Sequence, residues 1–591
     1  MKRFRLLPSL LLLLLAACGS EGSSSTPGIP APPYIAVLSS VSGTLTQAPL
    51  TVTGYVQAGS PVESIEGRLD EGEPLPVEWD KAEGHTPSFR VQVSLPLGDS
   101  TLRLDAVDQA GGHSTRALRL HREEPPDTTA PSVRLVTPEP DQALTVRRVR
   151  VQAIATDDQG VAQVSFTLNG ATAQPVTGPG ADGALTFDVT PRPGANTLVV
   201  QATDARGNTG TASVTFHFGS LTSAGGLHTG VVRAGALYTW GRNNKGQLGL
   251  GASVTADQSV PHAVRTLTHV AAIAFNQNHS LAIDDAGAVW TWGENANGQL
   301  GLGAPPAVEG GTRTPDVTPR SEPTRVAVAG AVAGAVAGVL GYRHTLVLME
   351  DGTVRAFGDN SNGQLGDGTV TSRDYPVAVV GLTDVVKLAA GSQHSVALKA
   401  DGTVWTWGRN TYGTLGLGAA DAINHPTPEK VPGVENVVDI ATGRDHVLAV
   451  HADGTVSAWG LDSAGQLGTG AISVEKQSAV PVKVKDVTDA RAVYANGLFG
   501  FVRRADGTLL GWGQNGNGQL GLSDTKDKGT ATPSAPGLGR IASLGLGATH
   551  VISLRGDDSV YVWGWNSKGS LGRTDLLENW SFPDPLQVVL P

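Results

Sequence analysis

Apolar and polar residues alternate along most of the chain in short runs, which is the pattern of half-buried β-strands. One such run covers residues 395–399, turns at Ala400-Asp401-Gly402, and continues as a second alternating run over residues 403–407. Two alternating runs joined by a tight turn predict a β-hairpin. Neighbouring runs at 375–380 and 385–390 predict further strands, so we expect the basic unit to be a four-stranded sheet.

This hairpin recurs along the chain at intervals of about 52 residues, which is typical of a repeat architecture. Twelve or thirteen residues before the end of its second strand stands a histidine in six copies and Phe499 in one. The second strand ends in a bulky aromatic residue before glycine, at Trp240, Trp292, Phe357, Trp407, Trp459, Trp512 and Trp563. Seven equivalent sheets predict a closed seven-bladed β-propeller over residues 219–591.

Two finer features of the repeats carry expectations of their own. The residue three positions before the histidine is always glycine or asparagine, which predicts a positive φ there: Gly225, Asn276, Gly341, Gly391, Gly443, Asn496 and Gly547. The seventh copy ends at residues 586–591, which match a third strand. We therefore expect the strand at 219–224 to complete the seventh sheet and close the ring.

Residues 34–123 and 131–218 predict two β-sandwiches, because strand-sized runs alternate there with Gly, Pro, Asp and Ser clusters. They resemble bacterial immunoglobulin-like domains, without the cysteine pair of antibody domains. The fold class is thus all-β, with two immunoglobulin-like β-sandwiches followed by a seven-bladed β-propeller. Asp157, Asp158 and Asp204 could bind Ca²⁺ or simply make turns. We expect both modules to act mainly as spacers.

The amino terminus predicts export and membrane anchoring. Three positive charges in the first five residues precede an apolar run at 6–15, which is shorter than the ~20 residues that span a bilayer. Residues 1–17 therefore read as a signal peptide. The sequence Leu-Ala-Ala-Cys ending at Cys18 resembles the lipobox of bacterial lipoproteins, which implies lipidation of Cys18. Residues 18–33, rich in Ser, Gly and Pro, predict a flexible tether. By resemblance to the sorting rule of enteric bacteria, the glycine after Cys18 implies the outer membrane or cell surface.

Charge and cysteine content exclude several classes of function. The net charge of −11 is a poor match to a nucleic-acid backbone, so we predict no nucleic-acid partner. Cys18 is the one cysteine, which excludes an intramolecular disulfide and a zinc site made of thiolates. No Ser/His/Asp constellation, framed carboxylate pair or phosphate-binding glycine loop stands out from the repeats. We therefore predict no catalytic residues, no metal and no cofactor.

The repeat motifs carry a specific family resemblance. The series G-x-x-H, D-G-x-V-x-x-W-G and N-x-x-G-Q-L-G resembles the repeat of the regulator of chromosome condensation family, over residues 219–591. The resemblance implies a seven-bladed propeller. The departures are Phe499 for the histidine, Phe357 for the tryptophan, Thr414 and Ser570 for the glutamine, and Asp462 for the asparagine. Eukaryotic relatives exchange nucleotide on a small GTPase and contact chromatin, but an exported acidic chain would meet neither.

We interpret the repeated histidines as hydrogen-bonded to local backbone and the repeated tryptophans as core, and seek function where the copies differ. The position after the aromatic-Gly pair varies most, and Leu461 holds it in one copy. Because arginine and large aromatics are favoured at contact sites, we predict partner-binding residues there, with ordinary surface variation as the alternative. The candidates are Arg242, Glu294, Asp359, Arg409, Tyr412, Gln514 and Trp565. A second candidate region is the insertion within residues 304–338.

These observations predict an exported, lipid-anchored binding protein that presents a propeller face to a protein or glycan. One alternative is an inhibitor of a secreted or periplasmic enzyme, since the architecture resembles the propeller-type β-lactamase inhibitory protein of bacteria. Another is a hydrolase or lyase with a site in the central funnel. The sequence leaves the ligand and the oligomeric state open.

Overall fold

The computed structural model describes residues 31–591 apart from 42–43, 47–48, 81–85, 308–312, 328–333, 471, 473–475, 536 and 540. The predicted signal peptide, Cys18 and most of the predicted tether lie outside the described residues. The chain forms two compact units, one ending at Thr128 and one spanning Thr129–Pro591. All regular elements of the described part are β-strands, and none of its segments is a helix of membrane-spanning length and hydropathy.

The first unit holds a two-sheet sandwich whose strands alternate buried apolar and exposed polar residues. In the strand Ser88–Val93, for example, Phe89, Val91 and Val93 are buried and the residues between them are exposed. The sheets have the orders β1-β3-β7-β6 and β2-β9-β8-β4-β5. The strands are β1 (Tyr34–Val37), β2 (Thr44–Leu45), β3 (Leu50–Gln57), β4 (Val62–Leu69), β5 (Pro74–Leu75), β6 (Val77–Trp79), β7 (Ser88–Val93), β8 (Gly98–Asp108) and β9 (His113–Arg122).

The second unit begins with a sandwich of the same plan. Its sheets have the orders β10-β12-β15 and β11-β17-β16-β13-β14, and its short parallel pair β11/β17 matches the pair β2/β9. The strands are β10 (Ser132–Thr137), β11 (Ala143–Leu144), β12 (Val149–Thr156), β13 (Val161–Leu168), β14 (Gln174–Val176), β15 (Ala184–Val189), β16 (Gly194–Asp204) and β17 (Thr209–Phe218).

Seven four-stranded antiparallel sheets follow in the part of the chain that the structure describes, each built from consecutive strands. From the innermost strand outwards they are β18 (Thr222–Ala224), β19 (His228–Arg233), β20 (Ala236–Gly241), β21 (Gln258–Ala263); β22 (Val270–Asn276), β23 (His279–Asp284), β24 (Val289–Gly293), β25 (Arg320–Arg325); β26 (Ala335–Leu340), β27 (His344–Met349), β28 (Val354–Gly358), β29 (Arg373–Ala378); β30 (Val385–Ala390), β31 (His394–Lys399), β32 (Val404–Arg409), β33 (Asn424–Lys430); β34 (Val437–Thr442), β35 (His446–His451), β36 (Val456–Leu461), β37 (Gln477–Lys483); β38 (Ala490–Asn496), β39 (Phe499–Arg504), β40 (Leu509–Gly513), β41 (Lys528–Ser534); and β42 (Ile541–Leu546), β43 (His550–Arg555), β44 (Val560–Asn566), β45 (Trp580–Val588).

The ring closes without the strand exchange expected from the sequence. Strand β18 is the innermost strand of the first sheet, and β45 completes the seventh sheet from the same continuous segment. The expectation was wrong because the run at 586–591 was matched to a third strand, which left a fourth place open. Each sheet begins with its inner strand, so the final strand β45 is already the fourth strand of the seventh sheet. The first and seventh sheets are joined by side chains instead: the Thr222 and Ser543 hydroxyl groups lie 2.9 Å apart, and Trp240 Nε1 donates to the Ser570 carbonyl oxygen at 2.9 Å.

The second sandwich packs directly against the propeller. Phe218, at the end of β17, is fully buried in a cluster with propeller residues such as Val336 and Leu346. The backbone N–H of Arg147 donates to the Val386 carbonyl oxygen at 2.9 Å. These contacts place the sandwich on the face where the second and third strands of each sheet are connected.

Candidate functional site

The repeated histidines join neighbouring propeller sheets. His228 Nε2 lies 3.0 Å from Ser280 Oγ, and Ser280 is the residue after the histidine of the next sheet. The Ser280 hydroxyl donates to the Gln247 carbonyl oxygen, so the imidazole Nε2–H donates to the hydroxyl oxygen. The same carbonyl oxygen accepts the Trp292 Nε1–H at 2.8 Å. Equivalent pairs are His279–Thr345, His344–Ser395 and His550–Thr229.

The histidines are therefore structural, although the expected partner was wrong: the bond goes to a hydroxyl of the next sheet rather than to local backbone. Burial lowers their pKa values, to about 3 for His228, His279, His344 and His446 and to about 4 for His394 and His550. Six neutral imidazoles in six separate sheets have no common ligand to hold.

The contact is interrupted where the hydroxyl is missing. Val447, Gly500 and Val551 stand where the other four sheets have serine or threonine. Neither His394 Nε2 nor His446 Nε2 has a hydrogen-bond partner in the described part of the chain, and Phe499 takes the place of the histidine in the sixth sheet. The contact is thus missing at the three boundaries between the fourth and seventh sheets.

Other polar contacts cross these sheets. Ser392 Oγ donates to Asp445 Oδ1 at 2.6 Å. Lys387 forms a largely buried ion pair with Asp439, whose other carboxylate oxygen accepts the backbone N–H of Val493 at 3.0 Å. The fourth, fifth and sixth sheets are thus linked by a lysine–carboxylate–amide connection instead of the histidine–hydroxyl contact.

The repeated Gly or Asn before the histidine does not adopt a positive φ, so that prediction was wrong. The reason for glycine is steric: a Cβ at Gly225 would lie 2.2 Å from the His228 ring. The asparagines have a different role, because Asn276 Nδ2 donates to the Leu340 carbonyl oxygen of the next sheet at 2.7 Å. Asn496 does the same to Leu546 at 2.6 Å.

The positions after the aromatic-Gly pair all lie on one face. In each sheet the backbone N–H at this position donates to the carbonyl oxygen of the residue before the histidine, or before Phe499 in the sixth sheet, as Arg242 does to Leu227 and Trp565 does to Thr549. The varied side chains therefore stand beside the turns between first and second strands. We call this the open face, since it is opposite the face that carries the second sandwich.

The candidate side chains on the open face are half-buried and partly held by neighbours. Asn278 Nδ2 donates to Glu294 Oε2 at 3.0 Å, and Arg409 donates to Gln393 Oε1 at 2.7 Å and lies over the Tyr412 ring. Arg242, Gln514 and Trp565 are also half-buried. Such side chains offer partly desolvated surface in defined positions, which suits a binding face.

Asp359 is an exception among the predicted residues. Its side chain is buried, and its carboxylate accepts hydrogen bonds from the Ser361 backbone N–H and from Gln364 Nε2, both at 3.1 Å. It shapes the turn of its own sheet, so it is not available to a partner. The repeated N-x-x-G-Q turn makes a carboxylate at this position a good acceptor for the glutamine side chain.

Sequence reasoning missed several residues of the open face. Arg343 and Arg444 are exposed in turns between first and second strands, and Trp580 and Leu577 are 61% and 60% exposed at the edge of the seventh sheet. The two arginines could have been found from the sequence, because they occupy the variable positions between the repeated Gly or Asn and the histidine. Arg444 forms an ion pair with the buried Asp445 at 3.1 Å, whereas Arg343 has no carboxylate partner in the described part of the chain.

The opposite face is acidic and receives a basic segment of the sandwich. Its exposed turns carry Asp285, Asp351, Asp401, Asp453, Asp506 and Asp557. Burial lowers the pKa of Arg147, while the negative charges of Glu350 and Asp351 oppose that shift. Arg148 donates to the Ala400 carbonyl oxygen at 2.7 Å. The central channel, a cavity of about 240 Å³ lined by all seven inner strands, has Thr145 and Phe218 of the sandwich among its lining residues.

Asp204 and Asp157, two of the Ca²⁺ candidates, hold turns. Asp204 Oδ1 accepts the backbone N–H groups of Arg206 and Asn208 at 2.8 and 2.9 Å. Asp157 Oδ1 accepts the N–H of Gln159 at 3.0 Å. Turn formation therefore accounts for Asp204 and for one oxygen of Asp157, whose Oδ2 is buried without a hydrogen-bond partner in the described part of the chain.

The described part of the insertion between the second and third sheets is anchored to the third sheet. Arg313 forms an ion pair with the buried Asp374 and lies over the Tyr375 ring. The Asp316 backbone N–H donates to the same carboxylate at 2.6 Å. This second candidate region is thus a packed loop on the side of the ring.

Comparisons with known proteins agree with this architecture. The sequence model of the RCC1-like domain matches residues 182–497, that of the regulator of chromosome condensation (RCC1) repeat matches 506–554, and that of a bacterial Ig domain matches 131–216. The first match spans more than half of the chain. The chain therefore belongs to the RCC1-like domain family, with immunoglobulin-like sandwich architecture before its propeller.

Several curated proteins are similar over the repeats. The chain is 27% identical over 296 residues to the ultraviolet-B receptor UVR8 of Arabidopsis thaliana (49% of this chain, 64% of that protein). It is 37% identical over 306 residues to the X-linked retinitis pigmentosa GTPase regulator of Canis lupus familiaris (51% and 29%) and 31% identical over 354 residues to the E3 ubiquitin-protein ligase HERC2 of Homo sapiens (57% and 7%). The chain spans less than two thirds of each relative's length.

Solved structures show the same fold. Yeast RCC1 (Prp20), solved bound to Kap60, aligns with a TM-score of 0.54 at 19% identity, covering 63% of this chain and 85% of that one. Human WBSCR16 aligns with a TM-score of 0.52 at 24% identity, covering 60% and 95%.

Proposed function

We propose that this chain is an exported, lipid-anchored binding protein whose open propeller face receives a protein partner. The observation that carries the proposal is the asymmetry of the second unit. The sandwich packs on the acidic face, whereas the open face presents half-buried side chains that differ from sheet to sheet. Folds of this kind take their function from such varied sites rather than from the shared core.

The composition of the open face supports a macromolecular contact. Arg242, Arg409 and Trp565 are residue types that contribute strongly at protein interfaces, and the exposed Trp580 adds apolar area at the edge. The exposed Arg343 favours a partner with an acidic surface, because complementary charge steers association. All six repeated histidines are buried, and four of them are engaged in contacts between sheets, which favours binding over catalysis.

The relatives support a protein rather than a glycan as the partner class. They include a receptor, a GTPase regulator and a ubiquitin ligase by name. Yeast RCC1 was solved in a complex with the protein Kap60, and its structural study describes binding to Gsp1p and histones. An inhibitor of a secreted enzyme would be one form of the same contact.

Anchoring is tested by cell fractionation of the Cys18→Ser protein. If Cys18 carries the lipid, the substitution moves the protein from the membrane fraction to the soluble fraction, because a serine cannot receive the thioether-linked lipid. The wild-type chain and a Ser20→Ala variant serve as controls and stay with the membrane. A Cys18→Ser protein that still sediments with membranes would contradict lipid anchoring.

The binding face is tested by affinity capture with the tagged full-length chain and quantitative mass spectrometry. The Arg343→Glu/Trp580→Ala variant changes two exposed residues of the open face, and Asp506→Lys is the matched control on the acidic face. We expect at least one surface or periplasmic protein to fall about tenfold in the first variant and stay unchanged in the control. Identical captured sets from all three proteins would refute the proposal.

A further inference from the structure

A second cavity lies between the second sandwich and the propeller, on the acidic face. Its volume is about 630 Å³, within the usual range of about 300–1,000 Å³ for small-molecule sites. The sandwich wall comes from residues 137–152 and Asp188, and the propeller wall comes from the fourth to seventh sheets. The sandwich contacts the second, third and fourth propeller sheets through Ala271, Val336, Leu346 and Val386.

The sandwich wall places two arginines around a single carboxylate, that of Asp188. Arg148 Nε lies 2.7 Å from Asp188 Oδ2, and Arg150 Nε lies 3.4 Å from Asp188 Oδ1. The Asp188 carboxylate, which lines the cavity, is therefore shared by two guanidinium groups. A further anion could be accommodated by the same two arginines.

The propeller wall adds two arginines without carboxylate partners in the described part of the chain. Arg491 is exposed and Arg503 is half-buried, whereas the adjacent Arg504 pairs with Asp489 at 2.8 Å. Arg503 lies beside the Tyr494 hydroxyl group, and burial raises the pKa of Tyr494, so this hydroxyl stays protonated and can donate a hydrogen bond. An arginine next to a neutral phenol is a good donor set for a carboxylate or phosphate.

The cavity has an excess of positive charge, although the protein as a whole is acidic. Six cationic side chains line it against four carboxylates, while the whole chain has a net charge of −11. The cations are Arg148, Arg150, Lys399, Arg491, Arg503 and Arg504, and the carboxylates belong to Glu139, Asp188, Asp401 and Asp439. Asp439 is paired with Lys387 and Arg504 with Asp489, so the excess of two positive charges remains when both are set aside. Apolar lining is supplied by Leu144, Val146, Leu398 and Leu544.

We propose that this cavity is a binding site for a small amphipathic anion, with Arg503 and Arg491 on the propeller side and Arg148 and Arg150 on the sandwich side facing its acidic group. The ligand class is an organic carboxylate, sulfonate or phosphate ester with an apolar body. The apolar lining takes that body, and the guanidinium groups select the charge. The site is distinct from the open face and stands independently of the partner proposed for it.

The test uses 8-anilinonaphthalene-1-sulfonate, an aromatic sulfonate, titrated into the folded full-length chain with fluorescence detection. We expect saturable binding whose Kd rises about tenfold in Arg503→Gln and in Arg491→Gln, since each removes a charge-assisted contact. Arg343→Gln, on the open face, is the matched control and keeps the wild-type Kd. Equal Kd values in all four proteins, or no saturable binding to the wild type, would overturn the proposal.

A second measurement needs no variant and covers the case in which Arg503→Gln fails to fold. Phenylglyoxal modifies accessible arginines in the wild-type chain, and peptide mass spectrometry gives a rate for each site. Bound probe should slow modification of Arg491 at least threefold and leave Arg343 unaffected. Equal modification rates of Arg491 with and without the probe would contradict the site.

Discussion

At the residue scale, neighbouring propeller sheets are joined by hydrogen bonds from buried histidine and tryptophan side chains. The sequence identified the repeated histidine and tryptophan as structural, because equivalent residues in every copy cannot form one site. It could not identify the partner of His228, since Ser280 lies in the next copy and its hydroxyl was not part of the repeat motif. Nor could it show that Asp359 is buried or that Arg343 is exposed, because both depend on how the turns fold.

Val447→Thr should restore the missing contact between the fourth and fifth sheets. The threonine hydroxyl would accept from His394 Nε2 and donate to the Thr414 carbonyl oxygen, which already accepts the Trp459 Nε1–H. We expect the free energy of unfolding to be unchanged or to rise by about 1 kcal/mol, as measured by denaturant unfolding.

The control is Val456→Thr, which buries the same hydroxyl at a fully buried valine outside this contact. It should lower the free energy of unfolding by about 1–3 kcal/mol. Equal destabilisation by both substitutions would show that the histidine–hydroxyl contact contributes nothing to stability.

The buried histidines should make the propeller acid-sensitive. Their folded pKa values lie near 3 to 4, below the ordinary 6.5, so the unfolded chain binds protons first as the pH falls. Stability is therefore full above about pH 6.5 and declines towards pH 4, by up to about 1.4 kcal/mol per histidine and pH unit.

His446→Phe provides the matched variant, because Phe499 holds the same position naturally and neither ring nitrogen of His446 has a partner in the described part of the chain. In chemical denaturation between pH 7 and pH 5, the free energy of unfolding of this variant should fall less steeply with pH than that of the wild type. The difference in slope should correspond to about one proton. An unchanged slope would mean that His446 is already protonated in the fold or accessible to solvent.

At the scale of elements, strand positions follow closely from alternation and turns. The predicted strand at 385–390 coincides with β30, and the run at 395–399 falls within β31. Periodicity works here because one face of each strand is buried and the other is not. It failed at residues 219–224, where alternation alone could not tell which neighbouring sheet the strand joins, and it mistook a steric requirement for glycine for a positive φ.

Thr222→Val should weaken the closure of the first sheet against the seventh. The substitution keeps the shape of the side chain but removes its hydrogen bond to Ser543 Oγ, leaving that buried hydroxyl without this partner. We expect a loss of about 1–3 kcal/mol in the free energy of unfolding. The Thr222→Ser protein, which retains the hydroxyl, should lose less, and the reverse order would exclude this contact as the closure.

At the scale of the whole molecule, the sequence predicted two sandwiches and a propeller but not the packing of the second sandwich against the propeller. In the sequence Phe218 is an ordinary strand residue, yet it is buried among propeller side chains. Arg147 and Arg148 lie beside acidic turns that come from different propeller sheets, and the sequence does not show that these turns share a face. These contacts leave the opposite face open. They also form the arginine-lined cavity, which no sequence motif predicts because its residues come from separate parts of the chain.

Phe218→Ala should uncouple the second sandwich from the propeller. Truncating a fully buried phenylalanine lowers the free energy of unfolding by about 3–5 kcal/mol. Part of this loss weakens the contact between the second sandwich and the propeller, because Phe218 packs against propeller residues. Calorimetry should resolve one transition for the second unit of the wild-type chain and two in the variant. The variant Phe216→Ala, within the sandwich core, should instead lower the whole transition; uncoupling by that variant alone would contradict the role of Phe218.

The central claim, that the open face receives a protein, is tested most directly by site-specific photo-crosslinking in cells. A benzophenone amino acid is placed at Arg444 on the open face or at Asp453 on the acidic face, two exposed turn positions of the same sheet. We predict a discrete crosslinked protein from position 444 and none from position 453. Crosslinking from position 453 alone, or from neither position, would contradict the claim.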